Sequence, residues 1–249
     1  MPFAIFDIET RIDKQLLNRV YFAHEGLDDE TAYLRHRQSL LERGGDFLPV
    51  TLHIPVSIAF GNAGDDHVLR SLECLAIGDY SEPNLAREFW NRAERFDGCF
   101  VTFNGHRFDF PVMELQALRY GIPIPRHFSD TGPRRRFADS HLDLYDFLSN
   151  YGSGRLAGGM NLLARLIGLP GKGIADGSQV QGLFEAGRLD EIHRYCLDDV
   201  VQTYFLFLRV QLIRGRIDLD SYNRARSSSA PFLDQLDFSS HQAPHGAQT

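Results

Sequence analysis

The stretch Phe3-Ala4-Ile5-Phe6-Asp7-Ile8-Glu9 decides the fold of this chain. It is apolar at odd and even positions alike, apart from its two acids, which is typical of a central strand covered on both faces of a sheet. Asp7 and Glu9 are two positions apart, so their side chains leave the same face of a strand. Two adjacent carboxylates on a buried strand repel each other and lose hydration, and a divalent cation relieves both costs. The alternative is an exposed strand end with two solvated carboxylates.

The segments that follow predict a mixed sheet. Two strands are predicted at 54–60 and 67–75, and the Gly-, Asn- and Asp-rich residues 61–66 between them favour an antiparallel hairpin. Further predicted elements are, in order, a helix near 83–96, a strand at 99–103, a helix from Asp109 to about Tyr120, a short strand at 141–144, and helices at about 144–150, 160–168 and 189–214. Antiparallel strands followed by alternating helices and strands favour an α/β domain with helices on both faces of the sheet.

Three segments are predicted to lie outside this alternating core. Residues 11–50 contain the charge-rich stretch ETAYLRHRQSLLERGG and predict a helical insertion. Residues 121–139 predict a loop, because they contain three prolines and an arginine run. Ser, Gln, His, Pro and Gly dominate the C-terminal end, so residues 223–249 are predicted to be a disordered tail and residues 1–222 the domain.

Composition limits the classes of function. The 249 residues carry a net charge of −7, which argues against a partner bound by positive charge alone. An acidic chain is compatible with an enzyme that gathers carboxylates around cations, because the ions reverse the local field. No apolar stretch approaches the roughly 20 residues that a bilayer requires, so no membrane association is expected. Three widely spaced cysteines and the lack of a secretory signal predict a reduced, cytoplasmic protein.

Asp109 is a second candidate for carboxylate chemistry. It opens a predicted helix just after a strand that ends at Asn104-Gly105. An aspartate near a helix N-terminus is commonly a cap, which stabilises the helix by about 1 kcal/mol. The alternative is a carboxylate at the carboxyl end of a strand, where open α/β sheets usually build their sites.

The C-terminal helix offers two adjacent acids, and helix geometry separates them. At about 100° per residue, one mainly apolar stripe contains Ile192, Tyr195, Cys196, Asp199, Val200, Thr203, Leu206 and Phe207. That stripe is predicted to face the core, with Tyr195 and Asp199 as neighbours four positions apart. Asp198 shares the opposite face with Glu191, Arg194, Gln202 and Arg209, which is predicted to be solvated. An inward-facing Asp199 therefore needs a partner.

These residues resemble the motifs of the DEDD superfamily of 3′→5′ exonucleases. The motifs are Phe6-Asp7-Ile8-Glu9-Thr10, Phe103-Asn104-Gly105-His106-Arg107-Phe108-Asp109 and Tyr195-Cys196-Leu197-Asp198-Asp199. The Tyr–Asp spacing is similar to the tyrosine branch, which includes proofreading domains of DNA polymerases. The layout over about residues 3–214, including HLDLYDFLSNYG at 141–152 and GLPGK at 168–172, is similar to stand-alone bacterial proteins related to the family-B polymerase exonuclease domain. His193 and Asp198 also fit the histidine branch, but the helix-face argument favours Tyr195 and Asp199.

The resemblance implies a ribonuclease-H-like fold and hydrolysis assisted by two Mg²⁺ or Mn²⁺ ions. Asp7, Glu9 and Asp199 would hold one ion, while Asp7 and Asp109 would hold the second. Tyr195 would orient the attacking water, since a tyrosine hydroxyl ordinarily keeps its proton at neutral pH. The substrate would be the 3′ end of single-stranded DNA or RNA, released as nucleoside 5′-monophosphates.

The same motif implies substrate contacts around Asp109. Asn104 and Gly105 would let the backbone approach the terminal nucleotide, and Phe108 would wedge against a base, with ordinary core packing as the alternative for Phe108. The run Arg134-Arg135-Arg136 either contacts phosphates or is a solvated charge run.

Some alternatives remain open at this point. The target is DNA, RNA or short oligonucleotides, because the motifs do not read the ribose 2′ position. A different class is an inactive exonuclease fold that binds nucleic acid or protein. In the tail, Phe232-Leu233-Asp234-Gln235-Leu236-Asp237-Phe238 is a short apolar and acidic segment of the kind found in docking peptides. Within it, Gln235-Leu236-Asp237-Phe238 resembles the bacterial sliding-clamp-binding peptide, one residue short, which suggests the clamp as a partner. The alternative is that this segment packs back on the domain.

Overall fold

A five-stranded sheet forms around the N-terminal strand in the computed structural model, which describes residues 1–75, 80–171 and 177–235. The strands are β1 (Phe3–Ile12), β2 (His53–Ala63), β3 (Leu69–Cys74), β4 (Cys99–Thr102) and β5 (His141–Asp143), in the spatial order β3-β2-β1-β4-β5. β1 pairs antiparallel with β2, and β2 antiparallel with β3, whereas β1–β4 and β4–β5 are parallel. The predicted mixed sheet is confirmed.

Helices cover both faces of this sheet. They are α1 (Lys14–Tyr21), α2 (Asp29–Glu42), α3 (Glu82–Arg95), α4 (Asp109–Tyr120), α5 (Leu144–Leu148), α6 (Gly159–Leu166), α7 (Gly177–Glu185), α8 (Leu189–Ile213) and α9 (Leu219–Asp234). None of residues 121–139, all of which are described, forms a helix or strand, as the prolines predict. Among the described helices, none combines the length and the apolar character needed to cross a bilayer.

Alternation along β1 sends its side chains into two separate cores. Ile5 packs in a cluster built with α8, α9 and β3, whereas Phe6 and Ile8 pack in a cluster built with α3 and α4. Asp7 and Glu9 continue the face of Ile5, because side chains two apart on a strand point the same way. The two acids are therefore directed toward the α8 side of the sheet.

The predicted insertion is a pair of helices at the end of β1. Asp13 caps α1 by accepting the backbone N–H of Leu16, and Asp28 caps α2 by accepting that of Thr31. Leu17 and Ala32 belong to a small apolar cluster of their own. The strand itself runs to Ile12, so the first residues of the range 11–50 belong to the sheet.

Helix α8 lies in the middle of the molecule, and one prediction about it is wrong. The stripe that contains Cys196, Asp199 and Val200 faces the core as predicted. Asp198 was expected on the solvated side, but it is only 6% exposed and Gln202 is buried too. The cause is that α5, α6, α7 and α9 contact α8 in addition to the sheet, whereas the prediction assumed one buried face.

The predicted disorder from residue 223 is also wrong for residues 223–234. Helix α9 spans Leu219–Asp234, and Tyr222, Ala225 and Ser229 are buried against the core. Phe232 and Leu233 pack against the same cluster, which agrees with the packing alternative for these two residues of the tail segment. Residues 236–249, which include most of the clamp-like peptide, lie outside the described residues.

Candidate active site

Three carboxylates from the two ends of the chain meet at one point. Asp7 and Glu9 reach it from β1 and Asp199 from α8, and one oxygen of each lies within 4.8 Å of the others. Asp199 is buried, whereas Asp7 and Glu9 are half-buried. Like charges this close are unfavourable without a counter-charge, and carboxylate oxygens are the ligands that hard divalent cations prefer. The group is therefore chemically suited to hold such a cation.

Contacts near the start of α8 fix its position against the sheet. The Cys196 thiol donates to the backbone carbonyl of Asp7 at 3.3 Å. His193 Nδ1 lies 2.8 Å from Ser57 Oγ, and Ser57 is the partner of Glu9 in the antiparallel ladder. These contacts place Asp199, one turn further on, over the same part of β1. Asp199 is thus the member of the α8 acid pair that lies in the carboxylate group.

Tyr195 lies on the same side of α8 as Asp199. It is half-buried and packs against the apolar cluster of Val56, Val180, Leu183 and Ile192. Helix α7 supplies Val180 and Leu183 to this cluster, and the sequence reasoning did not identify α7. Residues four apart on a helix are surface neighbours, so the Tyr195 ring starts one turn before Asp199.

Asp109 approaches the strand from the other side, at the N-terminus of α4. It does not cap the helix: Phe108 occupies the N-cap position, and its side chain makes no capping bond. The Asp109 carboxylate accepts the backbone N–H of Ile8, the residue between Asp7 and Glu9. Burial, together with the negative charges of Asp143 and Glu9, raises the pKa of Asp109 to about 8, although the backbone N–H bonds act to lower it.

A tight turn carries the chain from β4 into α4. Asn104 has a φ of +71°, and its carbonyl accepts the N–H groups of Arg107 and Phe108. A Cβ on Gly105 would lie 2.3 Å from Thr102 Oγ1, so only glycine fits there. The predicted turn at Asn104-Gly105 is present, and it aims α4 at the edge of the sheet where Glu9 lies.

Asp143, at the end of β5, holds this turn in place. Its buried carboxylate accepts the backbone N–H groups of Asn104 at 2.8 Å and His106 at 2.9 Å. It also accepts those of Tyr145 and Asp146, which caps α5. The carboxyl ends of the parallel strands β4 and β5 are thus linked. These four bonds give Asp143 a structural role.

A second group of metal-ligand type lies beside the first, at His106, Asp143 and Asp146. Its members already have strong protein partners. Arg136 donates two hydrogen bonds to Asp146, at 2.8 and 2.9 Å, and His106 Nδ1 lies 3.0 Å from the same carboxylate. Although burial acts to raise it, the pKa of Asp146 is held below its usual value by Arg136 and His106. These contacts give the second group a structural explanation.

The arginine run is paired rather than bare. Arg134 contacts Glu114 at 3.1 Å, Arg135 contacts Asp130 at 2.7 Å, and Arg136 contacts Asp146. The first two pairs join half-exposed guanidinium groups, and such pairs contribute little to stability. Phosphate contacts by Arg134 and Arg135 remain a prediction, whereas Arg136 has a partner inside the fold.

Phe108, a candidate from the sequence, has two aromatic neighbours that could not be identified from the sequence. Phe108 meets the ring of His53 at 5.1 Å and that of Phe47 at 5.5 Å. Phe47 comes from the segment after α2, in the predicted insertion. Phe47 lies in a short connecting segment between α2 and β2 that has no periodic pattern, so only the folded chain shows this neighbour.

Comparisons with known proteins agree with this architecture. A family model described as "Predicted 3'-5' exonuclease related to the exonuclease domain of PolB" matches residues 45–247, a range that contains Asp109 and Asp199 but begins after Asp7 and Glu9. The family B DNA polymerase of the hyperthermophilic archaeon Pyrobaculum calidifontis is similar in structure, with a TM-score of 0.55 and 18% identity over 95% of this chain. This chain spans only 27% of that polymerase, so the likeness concerns the fold of one part of it.

A weaker structural likeness is to Exonuclease I of E. coli, solved in complex with a 5cy-dT13 oligonucleotide. The TM-score is 0.39, with 15% identity over 88% of this chain and 45% of that one. No curated protein matches the sequence.

Proposed function

Because the chain belongs to the family of predicted 3′-5′ exonucleases related to the exonuclease domain of PolB, we propose that it is a metal-dependent 3′→5′ exonuclease. It hydrolyses phosphodiester bonds from the 3′ end of single-stranded nucleic acid, with DNA favoured, and releases nucleoside 5′-monophosphates. The observation that carries the proposal is the meeting of Asp7, Glu9 and Asp199 within 4.8 Å. Membership of the family supports nuclease chemistry, and the carboxylates supply a place for it.

The residues present fit divalent cations. Three carboxylates offer oxygen ligands. Asp109, which contacts the backbone of Ile8 between Asp7 and Glu9, offers a fourth carboxylate. Asp7, Glu9 and Asp199 would hold one Mg²⁺ or Mn²⁺, and Asp7 and Asp109 would hold a second. Two such ions stabilise the attacking and leaving oxygens of an in-line displacement at phosphorus.

The protein's own groups then position the substrate. Tyr195, one turn before Asp199 on α8, orients the attacking water and contacts the scissile phosphate. The turn at Asn104-Gly105 brings backbone close to the terminal nucleotide, because glycine leaves no side chain in the way. Phe108, half-buried beside Asp109, provides an apolar face for the terminal base.

The test is a cleavage assay on oligonucleotides labelled at the 5′ end, with DNA and RNA of the same sequence in Mg²⁺, Mn²⁺ or EDTA. The expected result is a ladder shortening from the 3′ end of DNA that EDTA abolishes. Asp7→Ala is expected to lower the rate by at least about a thousandfold. Asp220→Ala, at an exposed acid on α9, is the matched control and keeps full activity.

Two outcomes would overturn the proposal. A folded Asp7→Ala variant with wild-type activity would remove the carboxylate group from the reaction. Binding of DNA without cleavage in either metal would favour an inactive binding module instead. Shortening of RNA alone would keep the reaction and correct the target.

A further inference from the structure

The aromatic group at Phe47, His53 and Phe108 has an unusual division between buried and exposed rings. The Phe47 ring stacks on His53 with centroids 5.1 Å apart and an angle of 19° between the planes. His53 is buried, Phe108 is half-buried, and Phe47 is 58% exposed. One side of the Phe47 ring is thus supported by the protein, while much of its surface remains in contact with solvent.

Hydrogen bonds fix the supporting His53 ring. Its Nε2 lies 3.3 Å from the carbonyl oxygen of Leu48, which accepts only, so Nε2 carries the proton. Its Nδ1 then accepts the hydroxyl of Thr10 at 2.8 Å. Burial lowers the pKa of His53, which agrees with a neutral ring making these two contacts. The side chain of Gln116 also donates to the backbone carbonyl of His53.

The same contacts connect the rings to the carboxylates. Thr10 follows Glu9 on β1, at the point where the ladder with β2 shifts register. Phe108 precedes Asp109 at the start of α4. The rings of Phe47 and Phe108 are therefore attached, through His53–Thr10 and through the chain itself, to the two segments that carry Glu9 and Asp109.

Isolated exposed apolar residues are common and need no explanation. Phe47 differs because its ring is held face to face against a fixed partner and meets a second aromatic ring at 5.5 Å. Proteins that bind single strands without strong sequence preference stack bases on such aromatic rings, since every base has a π face. A held ring loses little conformational entropy when a base stacks on it.

We propose that Phe47 and Phe108 together form the stacking surface for bases at the 3′ end of the single strand, with His53 as the positioning residue for both rings. This assignment rests on the proposed function and deepens it. It makes the segment after α2 part of the substrate site, so that the insertion contributes directly to binding.

The test compares steady-state cleavage of single-stranded DNA by the wild type, Phe47→Ala and Tyr21→Ala. Tyr21 is a similarly exposed aromatic residue of the insertion that also meets a histidine ring, that of His36, so it is the matched control. Loss of one stacked base is expected to raise KM about 5- to 150-fold. The kcat is expected to stay within about twofold, because no carboxylate is touched. Phe47→Trp, which retains an aromatic face, should recover most of the affinity.

Substrates that lack bases at the last two positions distinguish stacking from a general loss of structure. On these, Phe47→Ala should have a KM within about twofold of the wild type, since there is no base to stack. An unchanged KM on normal DNA would overturn the inference. An equal rise in KM on normal and abasic DNA would overturn it as well.

A binding measurement tests the stacking surface even if the protein has no nuclease activity. If the wild type cleaves neither DNA nor RNA, binding of fluorescent single-stranded DNA is measured in Ca²⁺ instead. Binding that weakens in Phe47→Ala and not in Tyr21→Ala supports the stacking surface without catalysis. Equal binding by all three proteins, or none by any of them, overturns it.

Discussion

Three features of its surroundings disfavour the ionised form of Asp109. Its side chain is buried, and the carboxylates of Glu9 and Asp143 are close enough to disfavour a further negative charge. Only the backbone N–H groups of Ile8 and Asp109 itself favour ionisation, and the pKa rises to about 8. In the metal-free protein this residue therefore keeps its proton at neutral pH. A divalent cation bound beside it would favour the carboxylate.

This setting predicts a pH dependence of stability in EDTA. An unfolded aspartate loses its proton near pH 3.8, whereas folded Asp109 keeps it to about pH 8. The folded state binds more protons within that window, so its free energy of unfolding falls as pH rises. Asp109→Asn has no carboxyl group to titrate at this position, so its free energy of unfolding does not fall in this way. The difference in free energy of unfolding, variant minus wild type, is therefore expected to increase by up to about 1.4 kcal/mol per pH unit between pH 4 and 8.

Urea unfolding at several pH values in EDTA measures the difference. Asp220→Asn, at an exposed acid, is the control and should follow the wild type at every pH. Parallel curves for Asp109→Asn and the wild type would contradict the raised pKa.

Single residues differ in how far their role can be predicted from the sequence. Asp7, Glu9 and Asp199 could be selected because acids on an apolar strand and in an apolar helix stripe need a partner. Their meeting at 4.8 Å agrees with that selection. Phe47 could not be selected, because its meaning depends on His53 and Phe108, which are remote in sequence and become neighbours only in the fold.

At the scale of elements, the strands and most helices could be predicted from period and turn residues. The two errors share one physical origin: burial was inferred from apolar side chains alone. Asp198 and Gln202 are buried because other helices cover α8 on several sides. Helix α9 is stabilised by Tyr222, Ala225 and Ser229, whose small or polar side chains give a weak apolar pattern.

Ser229 provides a test of how α9 is attached. Its hydroxyl accepts the backbone N–H of Leu69 at 3.0 Å and lies 2.7 Å from the hydroxyl of Tyr204. Ser229→Ala leaves that buried N–H with only the longer contact to Tyr204, at 3.3 Å. The free energy of unfolding is expected to fall by about 1–3 kcal/mol.

Ser228→Ala is the matched control, since Ser228 is exposed on the same helix. Its effect is expected within about 0.5 kcal/mol in the same urea titration. If the two variants are equally stable, α9 is not held to β3 in the way described.

At the scale of the whole molecule, the topology determines the site. β1 lies at the centre of the sheet, with antiparallel β2 on one side and parallel β4 on the other. The carboxyl end of β1 therefore lies close to the turn that leads into α4. The face of β1 that carries Asp7 and Glu9 packs against α8. Asp7, Glu9 and Asp199 meet because α8 packs on this part of β1, and Asp109 at the start of α4 contacts the backbone of Ile8 there. A net charge of −7 is compatible with a nucleic-acid substrate if bound cations neutralise these carboxylates.

Manganese binding tests this convergence most directly. Electron paramagnetic resonance measures the concentration of free Mn²⁺ in titrations of the wild type, Asp199→Asn and Asp198→Asn. The wild type is expected to bind Mn²⁺, and Asp198→Asn is expected to bind it with similar affinity. Asp199→Asn should bind at least about 10- to 100-fold more weakly, since loss of a mere supporting partner of a ligand already costs that much. Wild-type affinity for Mn²⁺ in a folded Asp199→Asn variant would contradict the assignment of the site, whether or not Asp198→Asn binds the ion.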